Sequence, residues 1–352
     1  MVKALQDYKR DFRLPLFLSS LLHFLVDYVS IATLVKASSS VTVEEAAIFS
    51  LFYDFLAFAT QPIFGAVGDI FRKEKEMVLC SIALLLVGYF IPLHYLALVL
   101  VGIGNALFHV YAGKKVMDET KRSAPLGVFI STGSLGLSLA LNHSLPHLRY
   151  LFLGSLVLLG LAYYFIKGDQ QVREPIVETP NGGHAFLVLP LILISVGVLI
   201  RAYLGSLPTY VGEALQVAPM LMALFVFLGK ASGGFILDLF GVIPLVVASL
   251  IFTLIGSFNF SEPLLRMSFI LGINLPMAFT LFYAKKACPK LNGFAFGLLA
   301  AILLLGTILA NYKLTEEAVS ILSVTFGFIN AIICLAISHL AKADKRTKDD
   351  SI

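Results

Sequence analysis

Long apolar runs, broken by short polar segments, follow one another along the whole chain. They fall near 14–36, 45–67, 77–93, 95–113, 124–145 and 148–167, then near 185–207, 217–238, 240–258, 263–284, 292–312 and 318–340. About 20 mostly apolar residues in an α-helix cross a hydrocarbon core of ~30 Å. Each run is therefore predicted to be a membrane-spanning helix, twelve in all. Between the sixth and seventh runs lies a polar segment, Gly168 to His184, containing Pro175, Pro180 and Asn181-Gly182-Gly183. The predicted organisation is an all-α polytopic membrane protein: a six-helix bundle over 1–167, a cytoplasmic linker over 168–184, a second six-helix bundle over 185–340 and a cytoplasmic tail over 341–352.

Composition supports the same class. Hydrophobic residues make up 58% of the 352 residues and charged residues 14%, with a mean hydropathy of +0.89, whereas soluble domains are roughly a quarter charged. The net charge of +4 matters less than its distribution. If the N-terminus is cytoplasmic, 20 of the 26 Lys and Arg residues fall on the inner side and four, Lys36, Arg149, Arg266 and Lys313, on the outer side. That alternation obeys the positive-inside rule and predicts both termini in the cytoplasm, with the chain in the cell (inner) membrane. The basic residues cluster between spans rather than along one face, which excludes nucleic acid as a partner. The basic N-terminus (Lys3, Lys9, Arg10, Arg13) followed by an apolar run resembles a signal peptide, but the run has no small-residue cleavage site and reads as a retained span. Cys80, Cys288 and Cys334 show no paired spacing, so neither a disulfide framework, a metal site nor a cofactor is expected.

The two halves repeat. Gly65-Ala-Val-Gly-Asp69-Ile-Phe-Arg72-Lys73 follows the second span and Gly234-Phe-Ile-Leu-Asp238-Leu-Phe-Gly241 the eighth, with Gly and Asp each 169 residues apart. A fainter echo links Gly104-Asn105 to Ile273-Asn274. Parallel six-span repeats of this kind mark transporters built from two bundles around a midplane cavity.

An ionisable side chain placed at mid-span costs roughly 2.5–3.5 kcal/mol, so it normally faces a bundle interior or water. Spans three, six, nine and twelve carry none centrally. The first carries His23 and Asp27, the second Asp54, the fourth His109, the seventh Arg201 and the eighth Lys230. His23 and Asp27 share a helix face. At 1.5 Å per residue, Asp27, Asp54 and Arg201 fall at depths that let two carboxylates, an imidazole and a guanidinium converge near mid-membrane. Asp27 and Asp54 are candidate proton carriers, and Arg201 a candidate for binding an anionic group or resetting an emptied carboxylate. Asn105 and Asn274 are candidate substrate ligands and equally candidate helix-to-helix contacts. His109, near the inner end of its span, is a candidate for the site or for an internally bonded polar residue. For His23, Asp27 and Asp54 a structural hydrogen bond between helices is the competing reading, and Lys230 is expected to snorkel toward the cytoplasmic surface.

The Gly-x-x-x-Asp with following basic residues, repeated after spans two and eight, resembles the signature of the major facilitator superfamily. The resemblance implies that spans three, six, nine and twelve are the outer helices, and that Gly65, Asp69, Arg72, Lys73, Gly234 and Asp238 stabilise one of the alternating conformations. His23-Phe-Leu-Val-Asp27, Gln61-Pro62, Gly102-Ile-Gly104-Asn-Ala-Leu-Phe108-His109 and the glycines around Phe129 to Gly136 are similar to the fosmidomycin-resistance-like branch. Its members are thought to be proton-coupled drug exporters, and the resemblance to the superfamily, which works mostly as monomers, implies a monomer. The Pro-Glu usual after Phe-His in that branch is Val110-Tyr111 here.

The expected function is a secondary transporter moving a small solute by alternating access, with protons as the coupling ion and efflux as the direction. The alternatives are a facilitator or a proton symporter for a small organic anion, and a non-transporting membrane protein. ATP-driven transport within the chain is disfavoured by the absence of a Gly-x-x-x-x-Gly-Lys-[Ser/Thr] loop, and enzymatic chemistry by the absence of a Gly-x-Ser-x-Gly or His-Glu-x-x-His motif.

Overall fold

The computed structural model describes residues 12–141, 148–166, 185–207, 219–260, 262–310 and 314–349. The linker expected over 168–184 lies outside them. The described residues form twelve helices: α1 (Leu14–Ser38), α2 (Val43–Phe71), α3 (Glu74–Phe90), α4 (His94–Glu119), α5 (Ala124–Leu141) and α6 (Leu148–Phe165), then α7 (Ala185–Ser206), α8 (Pro219–Phe240), α9 (Val242–Ser257), α10 (Pro263–Ala287), α11 (Asn292–Leu309) and α12 (Glu316–Asp349). Ten are long and apolar enough to cross a membrane. The other two, α3 with 17 residues and α9 with 16, hold the same place in the two halves. The last helix runs to Asp349, beyond the apolar run that ends near 340.

Local chemistry sets the helix starts. Thr42 and Glu45 form a reciprocal capping box at the start of α2, satisfying two backbone donors that a helix end leaves free. Pro15 and Pro263 occupy the first turns of α1 and α10, where the missing N–H costs nothing. Two helices are irregular. In α2 a π-helical turn spans Phe55–Ala59, directly after Asp54. Pro62 has no N–H to offer the preceding turn, and the Gln61 side chain donates instead to the Ala57 carbonyl at 2.7 Å. In α10 the helix breaks at Leu275-Pro276. There Ser249 of α9 donates to the Gly272 carbonyl at 2.8 Å, the group that the Pro276 nitrogen cannot bond.

The helices sort by depth. Of their apolar windows, α2, α6 and α12 bury 22% and α8 28%, whereas α1, α4 and α10 bury 67%, 78% and 72%. Apolar side chains such as Val87 and Phe90 on α3, Leu158 on α6, Ile251 on α9 and Ile332 on α12 point outward, as a lipid-facing surface requires. The outward-facing apolar side chains on α3, α6, α9 and α12 agree with the every-third-helix pattern of charge-free spans. Between halves, α2 packs along α11 and α5 along α8. Both contacts are close: a Cβ on Gly65 would lie 2.2 Å from the Gly293 oxygen, and one on Gly127 2.6 Å from the Lys230 oxygen. The halves match in detail as well, for Ser81 bonds the Gly104 carbonyl at 2.6 Å just as Ser249 bonds that of Gly272, each across 23 residues.

Candidate functional site

The first half carries a polar cluster among its inner helices. His23 and Asp27 of α1 meet His109 and Asn105 of α4. The two imidazoles face each other through Nε2 atoms 2.9 Å apart, with Asp27 3.3 Å from His23 and 3.5 Å from His109. The Asn105 amide donates to Asp27 Oδ1 and to Ser30 Oγ, both at 3.1 Å. Tyr53 of α2 is buried beside Ser30 and Asp27. Gly133 of α5 makes room for all of this, since a Cβ there would stand 2.1 Å from the Asp27 carboxylate and 2.4 Å from His23.

The hydrogen-bond geometry constrains the tautomers of the two rings. His23 Nδ1 lies 2.7 Å from the Phe129 carbonyl and His109 Nδ1 2.9 Å from the Asn105 carbonyl. A carbonyl only accepts, so both Nδ1 atoms carry hydrogen. Two neutral rings would then oppose lone pairs at the Nε2 contact. One further proton between them converts the repulsion into a hydrogen bond, and the single positive charge is balanced by Asp27. The arrangement offers a place for one exchangeable proton between two imidazoles beside a carboxylate. The ligand atoms of His23, Asp27 and His109 also lie within 4.8 Å of one another, close enough for a metal ion. A proton shared between the two rings would account for the Nε2 contact equally.

The expected convergence is only partly present. Asp54 sits on α2 at the edge of the π turn, partly buried, with no bond to the cluster. Arg201 of α7 is 6% exposed; its neighbour is the Cys334 thiol of α12, and its Nε is sealed from solvent with no acceptor. Lys230 of α8 is half-buried and within electrostatic range of Arg201, Asp27 and His109. Asn274, the counterpart of Asn105, donates to the Ile270 carbonyl of its own helix at 2.8 Å, just before the Pro276 break, and joins no cluster.

At one end of the molecule the halves are bonded together. Asp69 accepts from the backbone of Gly293 at 2.9 Å and Phe294 at 2.8 Å. Asp238 accepts from the backbone of Ser123 at 3.0 Å, from its hydroxyl at 2.6 Å and from the backbone of Ala124 at 2.8 Å. Each carboxylate thus caps the first turn of a helix in the opposite half, α11 or α5, where free N–H groups and the helix dipole favour negative charge. Gly65 and Gly234 allow the approach: Gly65 meets Gly293, and a Cβ on Gly234 would lie 2.7 Å from the Ala124 Cα. Sequence reasoning missed three partners here. Asn292 donates to Asp118 at 2.6 Å, Lys285 donates to the Thr120 carbonyl at 2.6 Å, and Lys114 pairs with Glu74 and Asp118. Arg72 and Lys73 are exposed and bond nothing across the interface. Arg72 instead ends α2 in the left-handed region, at φ 50°.

Two six-helix bundles with charge-free outer helices and inter-half contacts through α2–α11 and α5–α8 define the major facilitator fold. Two solved structures share it. A crystal structure of the E. coli fucose:proton symporter FucP (N162A) superposes with a TM-score of 0.65 at 12% identity, covering 93% of this chain and 99% of that one. A structure of FucP, a major facilitator superfamily transporter, in the outward conformation gives 0.62 at 13% identity with the same coverage. No protein-family model matches the chain, and no curated protein does.

Proposed function

We propose that this chain is a secondary transporter that moves a small solute by alternating access, with protons as the coupling ion and export as the direction. The observation that carries the reading is the pairing of a releasable lock with a proton-holding cluster. Asp69 and Asp238 tie the halves at one end through bonds to helix N-termini, and His23, Asp27 and His109 are arranged so that one proton shared between the two rings would join inner helices. A proton arriving at or leaving that cluster changes its charge, and a change of charge between two bundles alters which packing is favoured. The Lys/Arg distribution supports a reading with both termini in the cytoplasm and the chain in the cell membrane. On that orientation the bonded end is cytoplasmic and this conformer faces outward. Export follows the resemblance to the fosmidomycin-resistance-like branch, and monomeric function that to the superfamily.

A second reading, a proton symporter or facilitator for a small organic anion, is favoured by Arg201 and Lys230, two inner cations without acidic partners among the described residues. One of the neighbouring structures is itself a proton symporter.

Reconstitution with a pH-sensitive dye inside the vesicles tests both. Wild type and Asp27→Asn are challenged with phosphonates, organic anions and amphipathic drugs. A solute-dependent proton flux that disappears in Asp27→Asn is the expected result. Solute flux without proton movement, unchanged in Asp27→Asn, establishes a facilitator. No flux from folded protein with any solute counts against transport.

A further inference from the structure

Arg201 and Lys230 are the inner cations of the second half, and neither has a hydrogen-bond or salt-bridge partner among the described residues. Arg201 is the more demanding of the two. It is 6% exposed and its Nε is sealed with no acceptor. A guanidinium stays charged in any protein environment. Burying it without an anion costs several kcal/mol, and such a charge persists only where something offsets it. Among the described residues nothing does. Cys334, beside it, is a thiol. Lys230 adds like charge. The carboxylate within reach of Lys230 is Asp27, whose oxygens are already engaged by Asn105, His23 and His109.

We infer that the missing counter-ion is the solute: the transported molecule carries an oxyanion group, carboxylate or phosphonate, that binds Arg201 and Lys230 in the second half while the rest of it faces the His23–Asp27–His109 cluster of the first. The inference rests on the transport reading and names its substrate class. Lys230 places the two parts within range of each other, being in reach of Arg201 and of both Asp27 and His109. A solute bound in this way touches both bundles at once and carries the charge that one half lacks.

The test is thermal denaturation of the purified full chain with succinate, lactate, benzoate or methylphosphonate. Each is paired with a neutral counterpart: succinamide, lactamide, benzamide or dimethyl methylphosphonate. Wild type, Arg201→Met, Arg201→Lys and Lys230→Gln are compared. At least one anion should raise the melting temperature of wild type in a saturable way, and its neutral counterpart should not. The apparent affinity should fall at least tenfold in Arg201→Met and Lys230→Gln and be retained in part by Arg201→Lys. Without ligand, Arg201→Met should melt at or above wild type, because it removes an uncompensated charge; a residue in a hidden structural ion pair would give a lower melting temperature. The inference is overturned if no anion stabilises the protein, if anion and neutral counterpart stabilise it equally, or if Arg201→Met and Lys230→Gln bind like wild type. Anion binding without solute flux in vesicles would sink the transport reading and leave the anion site standing. Flux of only neutral or cationic solutes would do the reverse.

Discussion

The two halves share a scaffold and divide its chemistry. Where they touch each other, the repeat is kept: Gly65 and Gly234, Asp69 and Asp238, and the serine-to-carbonyl bonds of Ser81 and Ser249 do the same work twice. At the centre it is lost. His109 has Ala278 as its counterpart, Lys230 has Gln61, and α7, which holds the place of α1, carries Arg201 and no acid. Every polar group of the first half's cluster is bonded except the Asn105 Oδ1, while Arg201 and Lys230 of the second half have no hydrogen-bond or salt-bridge partner among the described residues. A gate works by symmetric opening and closing, so duplication serves it. A binding site for an asymmetric solute and a proton gains from two unlike walls.

The largest effect is expected from breaking what the halves share. Replacing Asp69 and Asp238 together by Asn removes two sets of charge-assisted bonds, about 1.5–3 kcal/mol each, and should shift the conformational equilibrium on the order of a hundredfold or more. Spin labels on the exposed residues Phe71 and Leu291, at the bonded end of α2 and the start of α11, should report longer distances. The two single variants should shift the distribution by similar amounts, and a distribution identical to wild type would show that these bonds do not hold that end shut.

Next in size is a change confined to the first half. His109→Ala removes one holder of the shared proton, a bond of about 1.5–3 kcal/mol, and should weaken proton binding on the order of tenfold to a hundredfold. Solute-driven proton flux in vesicles measures it; flux equal to wild type would make the cluster structural. Gly133→Ala should cost about 1–3 kcal/mol by forcing a methyl against Asp27 and His23. Gly154→Ala on α6, where a Cβ meets nothing within 4 Å, should be neutral or stabilising by up to about 1 kcal/mol. Equal melting temperatures for these two variants would contradict the close packing of the cluster. The smallest effect is expected at Arg72. A non-glycine residue in the left-handed region costs about 1–2 kcal/mol, and Arg72→Gly should recover part of it as a slightly higher melting temperature without changing flux.

Much of the fold was legible because hydropathy is a one-dimensional signal and membrane spans are local. The twelve runs, the inner and outer helices and the repeated Gly-x-x-x-Asp all stand in the order of residues. The cluster was half legible. His23 and Asp27 are four apart on one helix, and that spacing needs no tertiary knowledge. His109 was placed too near the inner end of its span for its part to be read, since its depth depends on how α4 is set against α1. The carbonyl of Phe129 that orients His23 leaves no mark in any side-chain pattern. Asn274 looked like the equal of Asn105, but the broken α10 beside Pro276 leaves a carbonyl within its own helix for the amide to bond. Convergence of Asp54 with the others was inferred from depth alone, and depth says nothing about which way around the helix a side chain points. Lys285, Asn292 and Asp118 were passed over because Lys, Asn and Asp at helix ends are the commonest of residues there.

Gly65 and Gly293 meet backbone against backbone, with no side chain between them. Parting such a surface frees no rotamers, and glycine has no side-chain entropy to regain. Separation at this point therefore carries little change in order, and its enthalpy is mostly that of the neighbouring carboxylate bonds. The ratio of closed to open forms at this end should consequently fall on warming in proportion to those few bonds, without the steep thermal response that interlocked bulky side chains would impose.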